Sequence, residues 1–182
     1  SCDVMLMTAT PIPRTLTMSI YGDMDISIIR EKPKNRKIIK TYSKLENKID
    51  DIINFLKKEI KQGNQVFWVC PLIEESKKLD HSSATKKFEY LEKLFPNQVA
   101  LLHGKTEIIE KEKTLNDFLN NKFKILVSTT IIEVGIDFPN ANIIIIENAN
   151  KFGLSQLHQL RGRVGRGDKE STCILMFKSN LS

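Results

Sequence analysis

Short apolar runs alternate along the chain with stretches whose apolar positions recur every three to four residues. The runs predict strands at Val4–Met7, Ile26–Ile29, Ile38–Tyr42, Val66–Cys70, Val99–His103, Lys124–Ser128, Ile143–Ile146 and Thr172–Phe177. Several are solidly apolar rather than alternating, the pattern of strands buried on both faces of a parallel sheet. Leu45, Ile49, Ile52, Ile53, Leu56 and Ile60 keep helical spacing, with Ser43 and Glu46 as an expected capping box and Gly63 past the end. Phe88, Leu91, Leu94 and Phe95 mark a second helix stopped by Pro96, and Ile108, Ile109, Leu115, Phe118 and Leu119 a third, with Thr106 as candidate cap. Strand–helix–strand repetition predicts an α/β fold with right-handed crossovers and functional residues beyond the carboxyl ends of the strands.

The one shift in composition is the polar, charged stretch Arg30–Lys37, which contains Pro33. It reads as a linker between an amino-terminal piece, residues 1–35, and a main body, residues 36–182.

Composition narrows the classes. In 182 residues, 41% are hydrophobic and 27% charged, a globular mixture. The net charge of +6 permits a polyanionic partner without establishing one. Three of the six arginines, Arg161, Arg163 and Arg166, fall close together. The longest aliphatic stretch is Ile143–Ile146, far short of the ~20 residues that span a bilayer, so no membrane partner is expected. Three cysteines without a CxxC argue for a reducing compartment and against a disulfide framework or zinc site. No metal cluster is expected from the scattered histidines. The chain opens without a Met or a secretory signal and is expected to be a piece of something longer.

The strongest chemistry lies in Gln156-Leu-His-Gln-Leu-Arg-Gly-Arg-Val-Gly-Arg-Gly167. Were it helical through Arg166, Gln159, Arg163 and Arg166 would share one face and Leu157, Leu160 and Val164 the opposite one. Gly162 and Gly165 each cost about 1 kcal/mol in a helix against Ala, so a packing or functional reason is expected. Two guanidinium forks suit a phosphate whose charge is spread over several oxygens; a solvated basic helix end is the alternative. A second stretch, Ser128-Thr-Thr-Ile-Ile-Glu-Val-Gly-Ile-Asp-Phe-Pro139, ends an apolar strand in hydroxyls. Thr129 and Thr130 are candidate donors to phosphate oxygens and Asp137 a candidate acceptor from a ribose hydroxyl; ordinary capping explains the same residues. A third, Thr8-Ala-Thr-Pro-Ile-Pro-Arg-Thr15, is also explained by a strand followed by a Pro-started helix.

Two features imitate chemistry. Gly104-Lys105-Thr106 sits between a strand and a helix as a P-loop would, but position 99 of the GxxxxGK[ST] pattern is Val99. Glu147 ends an apolar strand like a metal-associated acid but has no P-loop partner, so it reads as a strand-end carboxylate without an assigned role. Cys70, before Pro71, reads as a buried strand residue.

In this order, TAT at Thr8–Thr10, Thr129–Pro139 and Gln159-x-x-Gly162-Arg163-x-Gly165-Arg166 resemble motifs III, V and VI of superfamily 2 helicases. MTATPIPRTL, VCPLIEES (Val69–Ser76), STTIIEVGID and FGLSQLHQLRGRVGRG together resemble the RecG type of bacterial ATP-dependent DNA helicase over essentially the whole chain. The nearest competitor is the Mfd type, which shares the first and last motifs; VCPLIEES favours the RecG type.

The resemblance implies a RecA-like domain with a mostly parallel central sheet flanked by helices, the second half of a split motor. It implies that Arg163 and Arg166 act as arginine fingers on ATP, that Gln159 couples the nucleotide to domain closure, and that Asp137, in a loop shaped by Gly135, lies near the ribose. It further implies DNA-backbone contacts from Thr129, Thr130, His103 and Gly104, with Thr8 and Thr10 in the motif that couples ATP state to domain movement. ATP with Mg²⁺ is the implied cofactor, held mainly by a first motor domain of the same polypeptide. The implied partner is DNA, especially branched DNA, in recombination and repair, without strong sequence preference, in the bacterial cytoplasm.

The chain contains neither a P-loop nor a DExH/Q box, so little ATP hydrolysis is expected from it alone. Residues 1–35, as a tail piece of the first motor domain, are expected to pack non-natively on the body or to self-associate. A self-sufficient NTPase using Gly104–Thr106 and a non-catalytic nucleic-acid-binding module remain as alternatives. The first conflicts with Val99, and the second leaves the paired arginines without a role.

Overall fold

A computed structural model describes residues 39–71, 77–103, 106–129, 138–164 and 169–178. The chain divides into two units, Ser1–Lys34 and Asn35–Ser182, and all described residues belong to the second. The expected strands Val4–Met7 and Ile26–Ile29 lie outside the described residues.

Six strands, β1 (Ile39–Leu45), β2 (Gln65–Val69), β3 (Val99–Leu102), β4 (Ile125–Ser128), β5 (Ala141–Ile146) and β6 (Ser171–Phe177), form one sheet in the order β1-β6-β5-β2-β4-β3. Every pairing is parallel. Among the described residues, four helices accompany them: α1 (Ile49–Lys61), α2 (Lys77–Leu94), α3 (Ile108–Leu119) and α4 (Leu154–Arg161). Among the described residues, no helix is long and apolar enough to cross a membrane.

The apolar runs became strands because both sides of the sheet are covered. Val66, Trp68, Ile143 and Ile145 face one core, closed by Ile52, Ile53 and Leu56 of α1 and Ala84 and Leu91 of α2. Their neighbours Phe67, Val69, Ile144 and Ile146 face the other, closed by Leu115 and Phe118 of α3 and by Leu160 and Val164. Successive residues point to opposite faces, so Ile143–Ile146 feeds both cores at once.

Three local expectations differ from the structure. Ser43 lies within β1, paired with Leu175, and does not cap; a short 3₁₀ turn, Glu46–Lys48, leads into α1, whose N-cap residue Lys48 makes no side-chain cap hydrogen bond. The strand continues because β6 offers it a partner along its whole length, outcompeting a local cap. In α3 the N-cap residue is Glu107, and the Thr106 hydroxyl instead accepts from the His103 backbone N–H at 3.1 Å. Ile108 and Ile109, expected among the apolar positions of this helix, are 75% and 80% exposed. Gly63 does follow α1, at φ +85°, where a side chain would be strained.

One buried amide ties the layers together. Gln65 Nε2 donates to the carbonyls of Phe118 (2.6 Å) and Phe123 (2.8 Å), satisfying the end of α3 and the turn after it.

Candidate functional site

Because all six strands are parallel, their carboxyl ends meet along one edge of the sheet. The residues one step past neighbouring strands are joined there by backbone hydrogen bonds. The Thr129 N–H donates to the Leu102 carbonyl (3.2 Å), the Cys70 N–H to Ser128 (2.9 Å) and the Glu147 N–H to Val69 (2.9 Å). His103, Thr129, Cys70 and Glu147 therefore stand side by side, following β3, β4, β2 and β5. Two of the expected DNA-contact residues, His103 and Thr129, are thus brought to adjacent strand ends. Thr129 is buried and His103 half-buried. The His103 carbonyl accepts from the Thr106 N–H (3.0 Å), which with the hydroxyl bond above closes a tight turn. Gly104, Thr130, Gly135 and Asp137 lie outside the described residues, as do Thr8, Thr10 and Arg166.

Gln159 and Arg163 are carried by a different element. The expected helix through Arg166 is shorter: α4 ends at Arg161. The Arg163 N–H bonds the Leu160 carbonyl (3.0 Å) and the Val164 N–H bonds that of Arg161 (3.5 Å), so the chain leaves the helix in tight turns. Gly162, a poor helix former, sits where the helix stops. The expected apolar face persists through the turn, with Leu160 and Val164 buried in the core and Leu157 packed against it. Gln159 and Arg163 are half-buried, and the Arg163 Nε is itself buried. Among the described residues, no three His, Cys, Asp or Glu side chains converge as metal ligands.

The edge also holds a cluster that the sequence left without a role. Glu147, 7% exposed, presents Oε1 to Lys87 Nζ at 2.8 Å and Oε2 to Cys70 Sγ at 3.4 Å. Lys87 Nζ lies 5.2 Å from the Trp68 ring centroid and 5.3 Å from that of Tyr90, within cation–π range. Burial, and then the neighbouring Glu147 charge, push the Cys70 thiol far up, so it stays protonated and donates. Burial likewise raises Cys173, to about 11. An unreactive neutral thiol at both positions agrees with Cys70 as a buried residue rather than a nucleophile. Lys87 was missed because its partner is distant in sequence. The one available hint was that a carboxylate closing a solidly apolar strand needs a counter-charge.

Residues 47–168 match the helicase conserved C-terminal domain family. The chain is 52% identical over 176 residues to the ATP-dependent DNA helicase RecG of Bacillus subtilis, covering 96% of this chain and 26% of that protein. It is 53% identical to the RecG of Aquifex aeolicus, covering 97% and 22%. The chain thus spans about a quarter of the length of the curated relatives it matches. Among solved structures, RecG bound to a three-way DNA junction is similar at a TM-score of 0.79 and 43% identity, over 94% of this chain and 22% of that one. Domain 2 of the DEAD-box helicase Mss116p, bound to an RNA duplex, shares the fold at a TM-score of 0.58 and 21% identity, over 79% and 56%. The parallel six-stranded sheet, its flanking helices and this match over most of its length place the chain in the helicase conserved C-terminal domain family.

Proposed function

We propose that this chain is the second motor domain of a RecG-type ATP-dependent DNA translocase acting on branched DNA, and that residues 1–35 are the tail of the first motor domain. The observation that carries the reading is the likeness to RecG bound to a three-way junction over 94% of the chain. In this reading His103 and Thr129, at adjacent strand ends, together with Gly104 and Thr130 next to them in sequence, contact sugar and phosphate, which positions DNA without reading its bases; Thr129 is itself buried, so its contact requires the edge to open when DNA binds.

ATP is the second substrate. As water attacks the γ-phosphorus and the bond to the β-bridging oxygen breaks, negative charge spreads over the departing and equatorial oxygens. In this reading Arg163 and Arg166 meet that charge from across the interdomain cleft, Gln159 aligns the closed state, and Asp137 accepts from the ribose in a loop shaped by Gly135. Thr8 and Thr10 transmit the closure. Phosphate cradling and Mg²⁺ ligation fall to the first motor domain, since this chain carries no P-loop sequence. The implied setting is recombination and repair in the bacterial cytoplasm.

The test compares ATP turnover, with branched DNA present, by this chain and by a polypeptide extended upstream through the first motor domain. The expected result is no turnover by the chain alone and DNA-stimulated turnover by the longer form. Robust turnover by the purified chain alone would overturn the reading and return attention to Gly104–Thr106.

A further inference from the structure

The carboxylate of Glu147 holds two connections at once. Cys70, bonded to Oε2, is where the chain leaves β2 and enters residues 72–76; Lys87, bonded to Oε1, lies on α2, the helix that follows that segment. Glu147 itself begins the connection from β5 to α4, which ends in the Arg163 turn. Asn148, the next residue, takes the left-handed conformation at φ 45°, so the chain turns sharply at once. Both partners are largely withdrawn from solvent, with side-chain exposures of 19% for Lys87 and 9% for Glu147. Burying two charges costs several kcal/mol each before their attraction is counted, and a well-packed apolar pair is often at least as stabilising. Such a pair is therefore weak as a device for stability and strong as one for fixing a single arrangement.

We infer that Glu147 is a positioning residue that joins Cys70, at the end of β2, and Lys87 of α2 to the connection leading into α4, so that DNA engaged at the carboxyl edge changes the placement of Arg163. The inference rests on the motor-domain reading above. Lys87 completes the joint: its ammonium lies within cation–π range of both Trp68 and Tyr90, so the same group ties Glu147 to β2 and to α2. Glu147→Gln keeps the shape and an acceptor for Cys70 but removes the charge that holds Lys87.

The test uses the polypeptide carrying both motor domains, with ATP turnover measured with and without branched DNA, alongside DNA affinity and thermal unfolding. Glu147→Gln and Lys87→Met are expected to lower the stimulation by DNA about tenfold, within the usual range of coupling between sites, with basal turnover, KM for ATP and DNA affinity each held within about twofold. Glu147→Asp, which keeps the charge, is expected to restore part of the stimulation. A parallel fall in basal and stimulated turnover would mark a merely structural role and overturn the inference; so would unchanged stimulation. If Glu147→Gln does not fold, Lys87→Met and Glu147→Asp carry the same two readings. Arg166→Ala in the same series separates the premises: retention of full turnover there would sink the motor-domain reading, whereas its loss together with normal stimulation in Glu147→Gln would sink only the role of Glu147.

Discussion

Arg166→Ala in the two-domain polypeptide is expected to lower kcat for DNA-stimulated ATP hydrolysis by about 10³- to 10⁵-fold, the usual contribution of an arginine finger. Affinity for branched DNA should change by less than about threefold, because one lost cation among many phosphate contacts is a small electrostatic change. Charge on the transferring phosphoryl group is greatest in the transition state, so a guanidinium aimed there lowers the barrier more than it strengthens ATP binding. Arg166→Lys should not rescue, since an ammonium is a point charge without the planar fork that contacts two oxygens together. Arg163, half-buried in the turn just past α4, should behave similarly. A large loss of DNA affinity with modest loss of turnover would assign these arginines to a binding module instead.

The largest expected effect on stability is at Phe118. Its side chain is fully buried, and its ring lies 5.3 Å from Phe67 and 5.4 Å from Phe138, tilted against both. Phe67 and Phe138 also meet edge to face at 5.4 Å, so the three rings form a closed triangle between β2, α3 and the residue just before the turn into β5. Phe118→Ala would remove the ring and leave a cavity that the rigid sheet cannot collapse into, at about 3–5 kcal/mol. Aromatic contacts of this geometry add about 0.5–1.5 kcal/mol beyond burial. Urea unfolding followed by circular dichroism should show a lower midpoint with an unchanged slope. A loss under about 1 kcal/mol would mean that the triangle is loosely packed. Phe138 directly follows the Gly135–Asp137 stretch in sequence, so the same variant is expected to weaken the nucleotide contacts proposed for that stretch.

The order of strands and helices was legible because a parallel sheet covered on both faces leaves a crude mark. Ile143–Ile146 has no polar residue to break it, and α1 repeats its apolar positions at helical spacing through Leu56 and Ile60. What was not legible depended on partners far away in the chain. Ser43 has the local chemistry of a cap, yet pairing with β6 across 132 positions of sequence keeps it in a strand. Ile108 and Ile109 match the helical period, yet none of the described residues buries them. The helix expected through Arg166 stops at Arg161, because Gly162 weakens it there and the apolar face of Leu160 and Val164 can be buried equally well by a tight turn.

The candidate site was legible in the same uneven way. His103 and Thr129 were recognisable as strand-end residues, and parallel pairing of β3 with β4 made them neighbours. Lys87 was invisible: it is one of many lysines, and only the fold sets it against Glu147 and Trp68. Gln65 was equally hidden, since a polar residue opening an apolar strand gives no sign of the two carbonyls it will satisfy.

Nucleotide analogues would show whether this domain supplies charge to a transition state formed between two halves of a motor. Affinities of the two-domain polypeptide for ADP and for ADP with fluoroaluminate, a mimic of the transferring phosphoryl group, would be measured with branched DNA present, in the parent and in Arg166→Ala. The parent is expected to prefer the mimic by about 100-fold or more, as transition-state analogues usually do, and the variant to lose most of this preference while binding ADP unchanged. Equal weakening of both ligands, or an intact preference in the variant, would contradict that role.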